Sequence, residues 1–195
     1  MGLTPLSGLP RGSRSGDVDP SLIFHHTSTA SKVSPSSTKN LHISEAEEIL
    51  NKQSGWKALA GTTDFSKIAD PNAPESHKLA FNMFVNRIVG FVGAYFVKLG
   101  GKVDALVFAG GMGEKSPLLR ERVVQECSCL GFTIDQQHNI NPDQNSVVEI
   151  GRGQQSRTLV CKTDEEVRKS LHLRPCTILR MISSRWHTIV STTKS

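Results

Sequence analysis

The chain has 195 residues, 37% of them hydrophobic and 21% charged, a composition that is typical of a globular protein. Its net charge of +5 is unevenly spread, because the last 29 residues carry six basic side chains and no acidic one, which argues against a uniformly basic nucleic-acid-binding surface on the main body. The first residues lack the apolar core of a secretory signal and the chain has four cysteines, so we expect reduced thiols and a cytoplasmic protein rather than a disulfide framework.

Two capped helices are predicted near the beginning of the chain. Residues 1–20, MGLTPLSGLPRGSRSGDVDP, are rich in glycine, proline and serine and predict a loop that ends where Asp19 and Pro20 open the first helix. The second helix is predicted to begin after Ser44, since Glu47 stands three residues later in the pattern of a capping box. Both helix starts therefore follow from local hydrogen-bonding chemistry.

The next two segments predict a turn and the longest helix of the chain. The stretch Trp56–Asp70 contains a Gly-Thr-Thr-Asp turn, whose Asp64 is suited either to capping a helix or to lining a ligand site. Residues Glu75–Leu99 repeat apolar side chains at spacings of three and four, which predicts a helix with a broad core-facing stripe. Asn82 and Arg87 lie inside that stretch and would be costly in a bilayer, so we expect no membrane span.

The stretch Val103–Ser116, VDALVFAGGMGEKS, combines a predicted strand, a glycine turn and a helix start. An apolar run gives way to Gly110-Gly111-Met112-Gly113, and an amphipathic helix is predicted to open at Ser116-Pro117. Closely spaced glycines after a buried strand let backbone N–H groups approach an anion, and the helix start adds partial positive charge. The pattern predicts a phosphate or nucleotide loop, but the same spacing occurs in an ordinary tight turn, and both interpretations remain open.

Beyond a helix predicted over Pro117–Leu130, the chain predicts one more strand and one more helix start. The short strand is Arg157–Cys161. The sequence TDEE, Thr163–Glu166, has the pattern of a capped helix start, although a carboxylate at a strand-to-helix turn is also where α/β kinases hold magnesium. On these residues alone capping is favoured. Since no clean period follows Leu173, we expect residues 173–195 to form a basic, poorly ordered tail.

Five ordered segments give the chain a family resemblance. They are MGLTPLSGLPRGSRSGDVDP, NKQSGWKALAGTTDF, VDALVFAGGMGEKSPLLRERV, GFTID and TDEE. In this order and spacing they resemble the C-terminal half of the acetate kinases, in the acetate/butyrate kinase family, over residues 1–172. The resemblance implies an α/β fold, an actin-like ATPase or ribonuclease-H-like nucleotide-binding lobe with a mixed sheet and helices on both faces.

The family transfers the γ-phosphoryl group of ATP to acetate, giving acetyl phosphate and ADP. The resemblance therefore implies ATP and Mg²⁺ as cofactors, acetate or acetyl phosphate as the other substrate, and a homodimer in the intact family. Arg14 in SRSGDVDP matches the arginine that stabilises the transferring phosphoryl group. A guanidinium suits this role because phosphoryl transfer is catalysed mainly by positioning and by cations.

The resemblance also implies two nucleotide-binding segments and one metal ligand. The two segments correspond to Gly111, Met112, Gly113, Glu114 and Lys115, and to Asp64, Phe65 and Ser66. Lys115 stands where the family usually has asparagine, and Ser66 where it usually has arginine. Loss of that planar cation is expected to weaken or alter nucleotide recognition. Glu165 matches the family's magnesium-linked glutamate.

The resemblance does not extend to the N-terminal half of the family's chain, which carries the other phosphate loop, the catalytic acid, a histidine and much of the acetate pocket. Because the family's active site lies between two lobes, we expect this chain to supply one wall and to have little or no kinase activity alone. A start at Met1 is then expected to reflect a truncated product or gene model. The alternatives are a non-catalytic nucleotide-binding or dimerising fragment and a related butyrate or propionate kinase.

Overall fold

The computed structural model describes residues 6–26, 29–143, 145–152, 156–162 and 178–181, and the chain divides into two units, Met1–Phe84 and Val85–Ser195. The N-terminal unit contains α1 (Pro20–His26), α2 (Glu45–Lys52), α3 (Gly55–Ala60), α4 (Phe65–Ile68) and the first part of α5 (Glu75–Lys98). The C-terminal unit contains the rest of α5, β1 (Ala105–Ala109), α6 (Gly110–Lys115), α7 (Pro117–Glu126), α8 (Gln136–Ile140), β2 (Val147–Glu149), β3 (Arg157–Cys161) and β4 (Ile178–Met181).

The first two helices begin where the sequence predicts. Asp19 Oδ1 accepts a hydrogen bond from the N–H of Ser21 at 2.9 Å, at the start of α1. The hydroxyl of Ser44 accepts the N–H of Glu47 at 3.1 Å and caps α2. Each bond satisfies a donor that the first helical turn leaves without an intrahelical partner. Local side-chain chemistry therefore sets both boundaries.

An aromatic cluster, Trp56, Phe65, Phe81 and Phe84, lies in the core of the N-terminal unit. Trp56 stands edge-on to Phe84 with 5.4 Å between ring centroids, and Phe65 lies 5.2 Å from Trp56 and 5.5 Å from Phe84. Trp56 and Phe84 are buried. Edge-on and tilted ring pairs at these distances stabilise a core beyond the area that they bury. The cluster thus joins α3, α4 and α5 within this unit.

Helix α5 ends one residue before the end predicted from the sequence. Ile88 and Val92 are fully buried, whereas Asn82 and Arg87 are exposed. Within the described ranges, α5 is the one helix long and apolar enough to cross a membrane. An 18-residue window of this helix has a mean hydropathy of 1.4, and 33% of that window is buried. The core helix of a globular protein passes the same test, and a buried apolar stripe beside exposed polar side chains is the pattern of such a helix.

The C-terminal unit is built on a mixed sheet whose described strands have the order β2-β3-β1-β4. Strand β1 is parallel to β3 and β4, with Ala109 opposite Cys161, and β2 is antiparallel to β3. All five residues of β1 are buried, as expected for a parallel strand that is covered on both faces. The predicted α/β fold with a mixed sheet is confirmed, and the strand predicted over Arg157–Cys161 is β3.

Strand β4 lies within residues 173–195, for which the sequence predicts a basic, poorly ordered tail. Its four residues pair with β1 in parallel register, from Ile178 opposite Ala105 to Met181 opposite Phe108. Because β1 is buried, its backbone N–H and C=O groups need hydrogen-bond partners on both sides, and β4 supplies them on the side away from β3. The rest of the tail lies outside the described residues.

Candidate functional site

Arg14 lies in a loop of the N-terminal unit, residues 8–17, that closes on itself and is called here the arginine loop. The N–H of Asp17 donates to the carbonyl oxygen of Gly8 at 3.0 Å, and Asp17 Oδ1 accepts the N–H of Gly8 at 2.8 Å. Inside the loop the N–H of Arg11 donates to the carbonyl oxygen of Arg14 at 3.0 Å. These bonds fix the backbone from which the Arg14 side chain projects.

The arginine loop also caps helix α3. The N–H of Trp56 donates to the carbonyl oxygen of Arg11 at 3.0 Å. The N–H of Lys57 donates to the carbonyl oxygen of Gly12 at 2.8 Å. The N-cap residue Ser54 makes no side-chain capping bond, so the loop carbonyls satisfy donors that the first turn of α3 leaves unpaired. The helix start and the arginine loop therefore hold each other in place.

Two glycines make this close packing possible. Gly55, the first residue of α3, has φ +66°, and a Cβ atom there would lie 1.9 Å from the carbonyl oxygen of Arg11. Gly16 has φ +72°, and a Cβ atom there would lie 2.6 Å from the nitrogen of Pro10. A side chain fits neither position because the space is filled by main-chain atoms and the backbone is left-handed. Gly16 belongs to the SRSGDVDP motif, whereas the need for Gly55 is visible only in the structure.

The arginine loop carries two cations that influence each other. Arg11 and Arg14 are both partly buried. Burial, and after it the positive charge of Arg14, lowers the pKa of Arg11. The two neighbouring guanidinium groups thus place positive charge in this loop. The sequence motif points to Arg14 and not to Arg11, although the RGSR spacing in a glycine-rich loop is a signal for both.

The second predicted segment, Asp64 to Ser66, begins helix α4. Asp64 Oδ1 accepts the hydroxyl of Ser66 at 2.8 Å and its N–H at 3.0 Å, and these two bonds lower the pKa of Asp64. Phe65 contacts Trp56 and Phe84 in the aromatic cluster. Asp64 therefore caps a helix, which is one of the two roles that the sequence left open, and Asp64 and Ser66 are both exposed.

The arginine loop and the Asp64 segment meet in the N-terminal unit. A Cβ atom on Gly12 would lie 2.9 Å from the Cβ atom of Thr63, the residue before Asp64. Gly12 therefore packs directly against the turn that leads into α4. Arg14 and Asp64, which were selected from separate motifs, lie on two segments that contact each other.

The glycine segment, Gly110–Lys115, forms helix α6 rather than an open turn. Gly110 follows β1 directly with φ +78°, and its N–H donates to Glu114 Oε1 at 2.7 Å. The sequence analysis placed the helix start at Ser116, where α7 does begin, with Ser116 Oγ accepting the N–H of Leu119 at 3.2 Å. Glycine disfavours helix, but the Glu114 carboxylate compensates by binding the first amide of the segment.

A cavity of about 430 Å³ lies beside the end of the glycine segment, within the C-terminal unit. It is lined by Glu114, Lys115, Pro142, Asp143, Asn145, Val148, Val160 and Lys162. Because Lys162 follows β3 directly and the last residues of β1 and β3 pair, the cavity lies at the carboxyl edge of these parallel strands. Open α/β sheets bind their ligands at this edge. The lining combines apolar side chains with two lysines and two carboxylates.

Glu165, the predicted magnesium ligand, lies outside the described residues, as does the helix start predicted at TDEE. Over the described ranges there is no group of three His, Cys, Asp or Glu side chains arranged to hold a metal ion. Glu114 already binds the N–H of Gly110.

Similarity to known proteins covers most of the chain. A family profile described as the Acetokinase family matches residues 1–169. A probable acetate kinase from Emericella nidulans is 58% identical over 172 residues, which cover 85% of this chain and 41% of that protein. A probable acetate kinase from Neurospora crassa is 52% identical over 196 residues, covering 85% of this chain and 42% of that protein.

Two solved structures share the fold. A propionate kinase from Francisella tularensis has a TM-score of 0.70 and 33% identity, over 86% of this chain and 40% of that one. Acetate kinase from Porphyromonas gingivalis has a TM-score of 0.69 and 33% identity, over 85% of this chain and 40% of that one. The chain thus spans about two fifths of the length of the relatives that it matches. Strand β4 lies beyond the residues that the family profile matches.

Proposed function

Because the chain belongs to the acetokinase family, we propose that it supplies nucleotide and phosphoryl contacts for an acetate kinase reaction. That reaction transfers the γ-phosphoryl group of ATP to a carboxylate oxygen of acetate and gives acetyl phosphate and ADP. The chain spans 41% of the Emericella relative. We therefore propose that the 195-residue polypeptide binds the nucleotide by itself and needs the remainder of the family's chain for turnover.

The observation that carries this proposal is the construction of the arginine loop. Its main chain is fixed by hydrogen bonds to α3, so Arg14 projects from a rigid support, and its positive charge helps to lower the pKa of the neighbouring Arg11. Phosphoryl transfer depends on cations held at the equatorial oxygens of the transferring group. A guanidinium offers two parallel N–H donors to such oxygens. In this proposal Arg14 binds the transferring phosphoryl group, and Arg11 adds positive charge in the same loop.

We assign further nucleotide contacts to the glycine segment, through Gly111, Met112, Gly113 and Lys115. The support is the position of this segment at the carboxyl edge of β1, beside a cavity that Lys115 lines. Glu114 holds the segment by binding the N–H of Gly110, so its role there is structural. Magnesium, when bound with ATP, neutralises phosphate charge, and Glu165 is proposed as the residue that holds it.

The segment Asp64, Phe65 and Ser66 is proposed as the second nucleotide contact, with a reduced contribution. Asp64 and Ser66 are exposed next to the arginine loop, and Phe65 is held in the aromatic cluster. Ser66 cannot stack on a base or pair with a phosphate as an arginine would. We therefore expect this chain to bind ATP more weakly than a relative that has arginine there.

A second candidate is a kinase for a longer short-chain carboxylate, which the similarity to the Francisella propionate kinase favours. Either reaction uses ATP, and we propose a cytoplasmic protein that forms a homodimer, as the family resemblance implies. The two candidates are separated by their acceptor, so acetate and propionate are compared directly in the assay described below.

The test is calorimetric titration of the 195-residue chain with ATP and Mg²⁺, together with a hydroxamate assay with acetate or propionate. Arg14→Met is expected to weaken binding at least about tenfold, equivalent to about 1.4 kcal/mol. Arg122→Met is the matched control, because Arg122 pairs with Glu126 on the exposed face of α7 and its loss should leave binding unchanged. Absence of binding by the wild-type chain would overturn the proposal.

Complementation separates a catalytic lobe from a non-catalytic nucleotide-binding fragment. The part of the Emericella nidulans protein that lies outside its matched region is added in trans to the chain. Acyl hydroxamate formed only by the mixture, and lost with Arg14→Met, is the expected result. Turnover by the chain alone would show that the remainder is not required, and binding without turnover in the mixture would favour the non-catalytic alternative.

A further inference from the structure

Arg120 is a fully buried cation in the middle of helix α7. Its side chain is 1% exposed and makes four hydrogen bonds. Nε donates to Asn139 Oδ1 at 2.7 Å, and Nη2 donates to the carbonyl oxygen of Asn139 at 2.6 Å. Nη1 donates to the carbonyl oxygens of Gly113 at 2.8 Å and Glu114 at 2.7 Å. The guanidinium thus joins α7 to both α6 and α8.

The acceptors of Arg120 share one property: they are uncharged oxygens near the C-terminal ends of two short helices. Gly113 and Glu114 are near the end of α6, and Asn139 is near the end of α8. Carbonyls in a last helical turn have no intrahelical donor and carry partial negative charge. One guanidinium therefore caps two helices at once, and the two sets of carbonyls solvate its buried charge.

The charge of Arg120 persists at neutral pH. Burial lowers its pKa to about 10, which is still well above neutrality. The planar shape of the guanidinium group matters as much as its charge, because its N–H donors point in fixed directions and reach acceptors on both α6 and α8. A lysine would keep the charge at a single point and could not span the same acceptors.

Asn139 completes the network around Arg120. Its side-chain nitrogen donates to the carbonyl oxygen of Pro117 at 3.0 Å, while its oxygen accepts from Arg120. Asn139 is 1% exposed. Both polar atoms of its side chain are thus hydrogen-bonded. The bond to Pro117 connects the start of α7 to α8, in addition to the contacts that Arg120 makes with α6. Such a fully bonded buried network fixes the relative positions of the elements that it joins.

We infer that Arg120 is the positioning residue for the glycine segment, holding Gly113 and Glu114 so that the segment keeps the geometry in which it binds the nucleotide. The part of this inference that concerns nucleotide binding rests on the proposed function. Arg120 holds the main chain at Glu114, and the carboxylate of Glu114 holds the N–H of Gly110, so both ends of α6 depend on one side chain. Lys115, the next residue, lines the cavity.

The experiment measures hydrogen exchange of the amides of α6 together with ATP–Mg²⁺ binding by the full chain. Arg120→Lys is the principal variant because it keeps the charge, and Arg120→Met removes it. Arg122→Met on the exposed face of the same helix is the control. For Arg120→Lys we expect α6 amides to exchange at least about tenfold faster, an increase larger than that of the α5 and β1 amides. ATP affinity is expected to fall by about tenfold.

Three results would overturn the inference. The first is α6 exchange in Arg120→Lys equal to that in Arg122→Met. The second is an equal increase in exchange throughout the C-terminal unit, which would make Arg120 a general stabilising residue. The third is faster α6 exchange with unchanged ATP affinity. If the wild-type chain binds no ATP, the proposed function fails, and α6 exchange alone then decides whether Arg120 positions the segment.

Discussion

The arginine loop and the glycine segment are held rigid by different kinds of contact. Main-chain hydrogen bonds to α3 fix the arginine loop, and Gly16 and Gly55 allow the close approach. Side chains hold the glycine segment, above all the buried Arg120, which binds its carbonyl groups. A main-chain contact tolerates changes of neighbouring side chains but not an added Cβ atom. A side-chain contact is lost when the residue that makes it is replaced, even if the local sequence still favours the same backbone conformation.

The largest expected effect comes from breaking the main-chain contact with Gly55→Ala. The new Cβ atom would lie 1.9 Å from the carbonyl oxygen of Arg11 at φ +66°, so α3 and the arginine loop must separate. We expect a loss of about 3–5 kcal/mol in the free energy of unfolding, measured by urea titration. Gly61→Ala is the control, because Gly61 has φ +70° with no atom within 4 Å, and it should lose only about 1–2 kcal/mol. Equal losses would contradict the main-chain contact.

The second prediction breaks the side-chain contact with Arg120→Met. Removal of the guanidinium leaves four buried hydrogen bonds unmade, on acceptors of α6 and α8. We expect the free energy of unfolding to fall by about 3–4 kcal/mol, measured by thermal and urea denaturation. Arg122→Met removes an exposed pair with Glu126 and should change it by less than about 0.5 kcal/mol. Similar values for the two variants would show that the buried network adds little stability.

A third prediction distinguishes the side chain of Arg14 from the backbone that carries it. Since the arginine loop is held through main-chain atoms, Arg14→Met should change the free energy of unfolding by no more than about 0.5 kcal/mol. The same variant is expected to lose ATP affinity in the titration described above. A destabilisation close to that of Gly55→Ala would mean that the Arg14 side chain is itself part of the structural contact.

The smallest effect concerns the exposed cap at Asp64, next to the arginine loop. Hydrogen bonds from Ser66 lower the pKa of Asp64 below 3.8, so its contribution to stability is present above the unfolded-state pKa and is lost as the pH falls through the folded-state pKa. Between about pH 5 and pH 2, wild type should lose slightly more stability than Asp64→Asn, measured as the urea midpoint at each pH. Ser66→Ala, which removes one of the two donors, should lie between them. Parallel curves for all three would contradict the cap.

Helix starts and the fold class were predictable from the sequence because they depend on neighbouring residues. Asp19, Ser44 and Ser116 each bind an N–H two or three residues later, and such bonds exist in the local chain. The apolar run of β1 and the stripe of α5 predicted a buried strand and a core helix for the same reason. The end of the helix predicted over Pro117–Leu130 was less accurate, since α7 stops at Glu126.

The candidate site was only partly predictable. Arg14 and the glycine segment were selected by motif, and their nucleotide roles remain predictions. The contact between Arg120 and Asn139 was missed because the two residues are 19 positions apart and no local spacing links them. A buried arginine on an otherwise ordinary amphipathic helix is invisible in sequence, since the same residue on the exposed face, such as Arg122, looks identical.

The positions of the turns, the helix caps and the apolar stripes are encoded in the sequence, and its ordered motifs identify the family. Those properties depend on residues within a few positions of one another. Three features are visible only in the folded structure: Gly55 must be glycine, the glycine segment is helical, and β4 pairs with β1. Each of these features depends on main-chain or buried polar atoms that come together from distant parts of the chain. At such contacts the available space and the need for hydrogen-bond partners outweigh the local preference for helix, strand or turn.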